Sequence, residues 1–334
     1  MKPFRIILVI LVALLALLAG GALYASNLVS ATGVGTVTLE IKPGMTMNEV
    51  SKKLESTGLI RSAQAFRALL KITGNEVVLR DGLYDLNGKL SNLEIAKALG
   101  IKGRPREVRV TIPEGLRLVD IADRLGSTQF GMSDVFLKAF ENTNLEPLIK
   151  NAPNLEGFLF PATYLFTPED TAQSITKTLV NRFEQEKTSA RLDKLKALKL
   201  SVYEWVTLAS VVQAEAGNVS EMPTIAGVFL NRLEIGMALQ SDPIIAYGLK
   251  KRLPELSRRD GDFQIDTPYN SYKHVGLPPT PINNPGSAAL DAIVNAVRIN
   301  ANGQKYLYFL HGRGGEFRPN TSFAAHLRDT DRFR

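Results

Sequence analysis

An apolar run near the N-terminus limits where the rest of the chain can fold. From Ile6 to Ala25 no residue carries a charge, and Lys2 and Arg5 precede the run. A helix of about 20 residues rises about 30 Å, which is the thickness of the hydrocarbon core of a bilayer. A cleaved signal peptide has a shorter apolar region, about 7–15 residues, and a clearer cleavage site than this run offers. We therefore expect an uncleaved single-pass membrane anchor.

The basic residues before the run predict the orientation of this anchor. Lys2 and Arg5 favour a cytoplasmic N-terminus, because positive charge is enriched on the cytoplasmic side of membrane proteins. The rest of the chain then lies on the outer side of the inner membrane, in the periplasm or its extracytoplasmic equivalent. The sequence contains no cysteine, which is compatible with that compartment and excludes disulfides, thiolate nucleophiles and zinc–cysteine sites.

Composition excludes several other classes of function. The 334 residues suit two domains plus an appendage, and 45% of them are apolar, enough for a real core. The formal net charge is +7, but the basic residues are spread along the chain, which argues against a nucleic-acid partner. An anionic membrane surface or an acidic polymer fits this charge equally well. His274, His311 and His326 are too far apart for a helical metal pair, so we expect no metal site and no cofactor.

Two stretches of the sequence repeat one pattern. Residues 39–55 read LEIKPGMTMNEVSKKLE, and residues 110–126 read VTIPEGLRLVDIADRLG. Each predicts a short strand, a glycine turn and an amphipathic helix, with Gly44 and Gly115 at the matching turn position. Such modules bind polymers in some proteins and are spacers or half of a packed α+β unit in others. Both interpretations stay open.

The middle of the chain adds helices and an aromatic segment. A further helix is predicted over 92–100, and a helix-rich stretch over 132–150. Phe158 and Phe160 belong to an aromatic and apolar segment that follows. Aromatic rings in such a segment can stack on sugars, but we expect these two side chains in a core.

A helix predicted over 201–217 is apolar on most of its faces. Ser201 and Glu204 have the spacing of a capping box at its start, and Gly217 is a typical stop signal. A helix without a polar face is expected to be largely buried.

Glu215 lies on the buried side of this helix. It follows Val211 by four residues and falls in the last turn, at the negative end of the helix dipole. Burial and the dipole both disfavour the ionised carboxylate, so we expect its pKa above the usual value of about 4.3. A carboxylic acid that keeps its proton near neutral pH can act as a general acid. The structural alternative is a buried ion pair, for example with Arg232 on the next helix.

Polar residues after this helix are further candidates for a site. Gln240, Ser241 and Asp242 form a predicted polar turn, in which Asp242 has the position of a helix cap. Tyr247 ends the short helix that follows. Residues 266–287 are rich in Pro, Gly, Asn and Tyr, which is typical of an ordered loop that lines a groove. A strand, a turn, a second strand and a helical tail are predicted at the C-terminal end.

Long segments of this region resemble one enzyme family. They read LASVVQAEAG with VFLNRLEIGMALQSDPIIAYG, then TPYNSYKHVGLPPTPINNPGS, then YLYFLHGRGGEF. They are similar to segments of the endolytic murein transglycosylases of the MltG (YceG-like) family. The segment LEGFLFPATYLF and the two glycine-turn modules match the same family. The resemblance covers nearly the whole chain, and the segments occur in the expected order.

The resemblance implies a fold class and a domain organisation. It implies an α+β protein with an N-terminal transmembrane helix, a small LysM-like β-α subdomain and a mixed α+β catalytic domain. The boundaries we expect are 1–30 for the cytoplasmic tip and the anchor, 31–105 for the LysM-like glycan-binding subdomain, and 106–334 for the catalytic transglycosylase region.

The resemblance also implies a reaction and its partners. The family cleaves nascent glycan strands at the β-1,4 bond after N-acetylmuramic acid and leaves a 1,6-anhydro end, which terminates strand elongation. The catalytic glutamate of the family falls on Glu215, and the earlier acid of its E-x-E-like pair is replaced here by Gln213. His326 lies near a position where relatives also carry a histidine, although its distance in sequence from the matching segments differs. An association with glycan-polymerising synthases is implied as well.

One carboxyl group is enough for such a reaction. Glu215 would protonate the leaving glycosidic oxygen and then accept the proton of the C6 hydroxyl as that oxygen attacks C1. Water is not consumed, so the second carboxylate of an ordinary glycosidase is not required. Glu221 and Glu234 are the candidates for a second acid in a hydrolytic enzyme.

Polar side chains should steady the sugar and its N-acetyl group. Our candidates for substrate binding are Gln240, Asp242, Tyr247, Tyr269 and Asn270. Each has a structural alternative, which is a helix cap for Asp242 and loop packing for the tyrosines.

Two other functions stay open from the sequence. A membrane-tethered adaptor would hold peptidoglycan with its repeats and carry an inert C-terminal domain, and an ordinary muramidase would use water. The glutamate on an apolar helix face favours an enzyme over an adaptor. The absence of an evident second acid favours the lytic route over hydrolysis.

Overall fold

The computed structural model shows a chain with two compact units, Met1–Glu107 (unit 1) and Val108–Arg334 (unit 2). Helices and strands occur in both, which confirms the predicted mixed α+β class. The described residues are 2–101, 103–143 and 152–334, with side chains from Leu8 onward. Residues 144–150 of the helix-rich stretch predicted over 132–150 therefore lie outside the description.

Unit 1 begins with a long helix and continues as a small α+β unit. Its elements are helix α1 (Lys2–Val29), strand β1 (Thr36–Ile41), helices α2 (Met47–Ser56) and α3 (Ala63–Thr73), strand β2 (Gly82–Asn87) and helix α4 (Asn92–Leu99). Strands β1 and β2 pair antiparallel. Fully buried Leu39, Leu54, Phe66 and Ile95 form the centre of its core.

Helix α1 is long and apolar enough to cross a membrane. An apolar window within Leu8–Val29 has a mean hydropathy of 2.6. Its large side chains point outward, and Leu17 is 75% exposed. Apolar surface of this kind is more stable in hydrocarbon than in water. The predicted apolar helix is confirmed, while the side chains of Lys2 and Arg5, which predict its orientation, lie outside the described residues.

Unit 2 combines two strand pairs with a cluster of helices. Its elements are strand β3 (Val108–Thr111), helices α5 (Leu118–Gly126) and α6 (Ser133–Glu141), strand β4 (Thr163–Phe166), helices α7 (Ala172–Glu184), α8 (Ser189–Leu198), α9 (Val202–Glu215), α10 (Met222–Glu234), α11 (Asp242–Gly248) and α12 (Ser287–Val294), strands β5 (Tyr308–His311) and β6 (Phe317–Asn320), and helix α13 (Phe323–Phe333). Strand β3 pairs antiparallel with β4, and β5 pairs antiparallel with β6.

The two repeated stretches adopt the predicted strand–turn–helix form. Gly44, between β1 and α2, has a φ of 81°, and Gly115, between β3 and α5, has a φ of 75°. These left-handed values favour glycine, because it has no Cβ to clash with the backbone. Each unit thus contains one copy of the module.

Helix α9 is the centre of unit 2. It packs against α10 and α12, and Trp205 near its start is fully buried, with its indole N–H donating to the carbonyl of Leu290 at 2.9 Å. Phe158 and Phe160 are buried in the same core, as predicted. The apolar faces of α9 therefore meet neighbours on several sides, and the helix is held in a defined position.

The two ends of α9 differ in how well the sequence predicts them. The capping box of Ser201 and Glu204 is present at its start. At the other end the helix stops at Glu215, two residues before the predicted end, and Gly217 follows the C-cap residue Ala216, whose backbone is extended with ψ 130°. Gly217 donates its N–H to the carboxylate of Glu221 at 2.9 Å.

Candidate active site

Glu215 is the last residue of α9 and faces a cavity of unit 2. The cavity has a volume of about 340 Å³, and we call it the glutamate cavity. The side chains on its wall include Arg232, Gln240, Asp242, Arg258, Tyr272, Tyr308, His311, Phe323 and His326. A larger cavity of about 710 Å³ lies beside α6, but Glu141 is the one ionisable side chain among its described lining residues. The glutamate cavity is therefore the better candidate for chemistry.

The surroundings of Glu215 keep its carboxyl group protonated to higher pH than usual. Burial raises the pKa of Glu215 to about 7, and the charge of Asp242 acts in the same direction. A hydrogen bond from the Ser241 hydroxyl to Glu215 Oε1, 2.6 Å long, opposes this by favouring the ionised form. The charges of His311 and Arg232 lower the pKa as well. The balance leaves a group that can both give and take a proton near neutral pH.

Arg232 does not form the buried ion pair that was the structural alternative for Glu215. Its guanidinium donates to the carbonyl of Leu307 at 2.7 Å and to that of Leu239 at 2.6 Å. It also lies over the ring of Tyr308, 5.3 Å from the centroid. Within the described part of the chain no ion pair joins it to Glu215. Arg232 holds backbone segments around the cavity instead.

Gln240 and Asp242 are the two predicted substrate-binding residues that the structure brings to Glu215. Gln240 is exposed, and its φ of 50° is a left-handed value that non-glycine residues rarely adopt. Asp242 accepts a hydrogen bond of 2.7 Å from the Tyr272 hydroxyl. The expected cap role of Asp242 is wrong, because Ser241 takes the N-cap position and Asp242 is the first residue of α11. The Ser241 hydroxyl is directed to Glu215 rather than to the helix.

The structure describes Tyr247, Tyr269 and Asn270, and none of the three lies on the wall of the glutamate cavity. Asn270 is fully buried and donates to the carbonyls of Phe263 and Ile265 at 3.0 and 2.8 Å. The rings of Tyr247 and Tyr269 contact each other, with centroids 5.4 Å apart. Each of these three residues contacts other residues of the protein. For the two tyrosines this agrees with the alternative that they pack within the loop.

Neither of the two expected candidates for a second acid lines the described wall of the cavity. Glu234 is exposed and paired with Arg298 and Lys305. Glu221 is buried, which raises its pKa, but hydrogen bonds from His311 and from the Gly217 N–H outweigh burial and hold the pKa below its usual range. Apart from Glu215, Asp242 is the carboxylate on the described cavity wall. It therefore replaces Glu221 and Glu234 as the candidate for a second acid.

His311 lies on the cavity wall, whereas from the sequence it was considered only as a possible metal ligand. It ends β5, and its Nε2 lies 2.9 Å from the Glu221 carboxylate. Glu221 also accepts from the side chain of Asn218 at 2.5 Å, so the pair connects β5 to the loop that directly follows Glu215. The spacing of 90 positions between the partners leaves no local signal in the sequence.

His326 also lies on the cavity wall, on α13. Its ring stacks on Tyr308, with centroids 5.4 Å apart, and burial lowers its pKa. The resemblance pointed to this histidine without a role. The structure places it on the wall, with its ring against that of Tyr308.

A family model and two named relatives that are similar to this chain all describe the same type of protein. The model of the YceG-like family matches residues 39–332. A protein of Bacillus subtilis (strain 168) named endolytic murein transglycosylase is 31% identical over 320 residues, which are 90% of this chain and 86% of that protein. A protein of the same name from Streptococcus pneumoniae serotype 2 (strain D39 / NCTC 7466) is 31% identical over 291 residues, 78% of this chain and 52% of that protein.

A solved structure is similar as well. The crystal structure of a yceG-like protein from Listeria monocytogenes matches with a TM-score of 0.57 at 29% sequence identity. The match covers 88% of this chain and 99% of that one. The fold and the sequence comparisons thus point in the same direction.

Proposed function

Because this chain belongs to the YceG-like family, we propose that it is an endolytic murein transglycosylase, a lytic enzyme of peptidoglycan, with Glu215 as its single acid and base. The observation that carries the proposal is the carboxyl group of Glu215. It faces an open cavity, accepts one hydrogen bond from Ser241, and has a pKa of about 7. A non-catalytic adaptor gains nothing from a carboxyl group in this state.

The reaction needs two proton transfers at one carboxyl group. Protonated Glu215 gives its proton to the glycosidic oxygen between N-acetylmuramic acid and N-acetylglucosamine, and the C1–O bond breaks. The carboxylate then accepts the proton of the C6 hydroxyl while that oxygen bonds to C1, which closes the 1,6-anhydro ring. Ser241 supports the second state, because its hydroxyl donates to Oε1 of the ionised form.

The wall of the glutamate cavity has the character of a sugar site. The exposed ring of Phe323 lies on it, and aromatic faces stack on the apolar face of a sugar. Gln240 and Asp242 supply polar groups for hydroxyl and N-acetyl contacts. Tyr247, Tyr269 and Asn270 then act on substrate indirectly, by shaping the loop beside the cavity.

The location and the role of unit 1 belong to the same proposal. Helix α1 spans the inner membrane once, with a cytoplasmic N-terminus, and unit 2 acts on nascent strands on the outer side. The order β1–α2–α3–β2 supports a LysM-like glycan-binding subdomain in unit 1. Co-purification tests the proposed association with glycan-polymerising synthases.

The absence of cysteine makes the topology easy to test. Lys2→Cys and Arg109→Cys variants would be exposed to a membrane-impermeant maleimide in spheroplasts. We expect labelling at position 109 and not at position 2. The reverse pattern would refute the orientation.

The decisive experiment for the activity follows the chemistry of the products. The full-length protein in detergent and its Glu215→Gln variant are incubated with uncross-linked glycan strands, and the products are weighed by mass spectrometry. We expect anhydro-muramic ends, lighter than reducing ends by one water, and none with the variant. Glu169→Gln, at an exposed glutamate of unit 2, is the matched control and should cut like the wild type.

Other outcomes favour the other functions. Reducing ends would indicate a muramidase and would make Asp242 the acid to replace next. Binding of the strands without cleavage by any of the three proteins would indicate an adaptor.

A further inference from the structure

A second cavity of unit 2 adjoins the glutamate cavity. Its volume is also about 340 Å³. It is lined by Gln213 and Ala214, which directly precede Glu215 in α9, and by Pro243, which directly follows Asp242 in α11. Residues of the last turn of α9 and of the first turn of α11 therefore line both cavities. We call the second one the amide cavity, after its lining residues Gln213 and Asn283.

Asn283 brings an unsatisfied acceptor to the amide cavity. The residue is 4% exposed, and its Nδ2 donates to the carbonyl of Ser210 in α9 at 2.8 Å. Its Oδ1 is buried and has no hydrogen-bond partner within the described residues. A buried amide oxygen without a partner is unusual, because nearly all such atoms are hydrogen-bonded. A ligand that offers an N–H or O–H group would satisfy it.

Arg117 brings an uncompensated positive charge to the same cavity. Its guanidinium donates to the carbonyl of Lys251 at 2.7 Å and lies over the ring of Tyr247. In the described chain no carboxylate forms an ion pair with it. Arg252, the other cation of the cavity, is already paired with Asp120. A half-buried guanidinium with free N–H groups suits an anion, and a carboxylate best matches its geometry.

The neighbouring charges do not neutralise Arg117. Burial and the charge of Arg252 both lower its pKa, and the charges of Asp120 and Glu156 raise it, with a net lowering. Asp120 is engaged by Arg252, and burial raises the pKa of Glu156 to about 7, so that carboxyl group is partly protonated. Glu114 lines the cavity but makes no ion pair within the described residues.

We propose that the amide cavity binds the peptide stem of the muramic acid residue next to the bond that Glu215 cleaves. Arg117 takes a stem carboxylate, and Asn283 Oδ1 accepts an N–H of the stem. This rests on the proposed function, which puts a muramic acid beside Glu215. In a strand with intact stems the sugars are neutral and the carboxylates lie on the peptides, so the unpaired guanidinium of Arg117 next to the acid selects the stem.

The proposal makes the enzyme selective for strands that carry peptides. The full-length protein is assayed on uncross-linked strands with intact stems, on strands stripped by an amidase, and on strands whose stem carboxylates are converted to neutral amides. We expect kcat/KM to be at least tenfold higher for the intact stems than for either of the other substrates. A ratio near one for the wild type would overturn the proposal.

The matched variants are Arg117→Gln and Arg109→Gln. Arg109 is an exposed arginine on β3 of the same unit. We expect the ratio to fall to near one in Arg117→Gln and to stay at the wild-type value in Arg109→Gln. A preserved ratio in Arg117→Gln would refute the role of this arginine.

A readout on the wild type covers the case in which Arg117→Gln does not fold. N-acetylmuramyl-L-alanyl-D-isoglutamine should inhibit cleavage at concentrations at which N-acetylmuramic acid does not, and equal inhibition by both would refute stem recognition. If no strand is cut at all, the proposed function fails. Calorimetric titration with the same three kinds of strands then still tests the cavity. We expect tighter binding of the strands with intact stems, and equal binding of all three would overturn the proposal.

Discussion

Glu215 and Ser241 form the pair of residues on which the chemistry depends. The hydroxyl donates to the carboxylate across 2.6 Å, and it comes from the turn before α11 rather than from α9 itself. Burial favours the protonated acid, and this one bond favours the ionised base. A catalyst that must use both states of one carboxyl group needs such a balance, because either extreme would slow one of the two proton transfers.

The pH dependence of cleavage should report this balance. Because the first step needs protonated Glu215, we expect kcat/KM to fall as the pH rises through about 7, the pKa of the free enzyme's acid. Ser241→Ala removes a donor to the ionised form, so the pKa rises and the falling limb moves to higher pH. The measurement is the pH profile of kcat/KM for both proteins.

Ser189→Ala, at an exposed serine that starts α8, is the control and should leave the limb in place. A limb that stays put or moves to lower pH in Ser241→Ala would show that this hydroxyl does not tune the acid.

Helix α10 is the element that connects the core to the far wall of the glutamate cavity. Asn231 donates to the carbonyls of Arg298 and Tyr306 at 2.8 and 2.9 Å, and so holds the segment that leads into β5. Gly227 on the same helix lets this segment come close, since a Cβ there would lie 2.0 Å from the carbonyl oxygen of Val297. The position of His311 on β5 thus depends on a close helix–backbone contact.

Gly227→Ala should destabilise unit 2 strongly. The methyl group meets a backbone oxygen rather than a flexible side chain, so we expect a loss of about 2 kcal/mol or more, although alanine itself favours a helix by about 1 kcal/mol. The loss is measured by urea unfolding followed through the fluorescence of Trp205, the single tryptophan of the chain.

The Gly236→Ala variant is the control that measures the cost of a left-handed backbone without a close contact. Gly236 has a φ of 67° and nothing within 4 Å of its added Cβ, so only the left-handed backbone is penalised, by about 1 kcal/mol. An equal loss in the two variants would contradict the close-contact argument.

At the scale of the whole molecule, Glu156 joins distant parts of unit 2. Its Oε1 accepts from the N–H of Leu118 at 2.9 Å and from the side chain of Asn284 at 3.0 Å, and its Oε2 accepts from the Tyr247 hydroxyl at 3.1 Å. Burial raises its pKa to about 7. In the unfolded chain the same group titrates near 4.5, so the folded state binds the extra proton between these values.

The stability of unit 2 should therefore fall as the pH rises from about 4.5 to about 7. Glu156→Gln keeps the shape and the hydrogen-bonding capacity without the ionisation, so its stability relative to the wild type should increase between pH 5 and pH 8. The increase is at most about 3 kcal/mol, by the size of the pKa shift. Urea unfolding at both pH values, followed by Trp205 fluorescence, measures it. A difference between variant and wild type that does not change with pH would contradict the raised pKa.

The sequence by itself determined what depends on local pattern. The apolar helix α1, the two strand–glycine–helix modules, the capping box of α9, and the buried Phe158 and Phe160 all follow from periodicity and from the preferences of single residues. Glu215 could be recognised for the same reason, because helical spacing alone puts it on an apolar face.

Only the tertiary structure decided the partners of that glutamate. Ser241 meets Glu215 across 26 positions, and Glu221 meets His311 across 90. Asn270 was expected at the substrate and instead lies buried in its loop. Spacing in the sequence specifies which face of an element a side chain occupies. Which loop then packs over that face depends on how the helices of unit 2 fill a common core, and no local pattern contains that information.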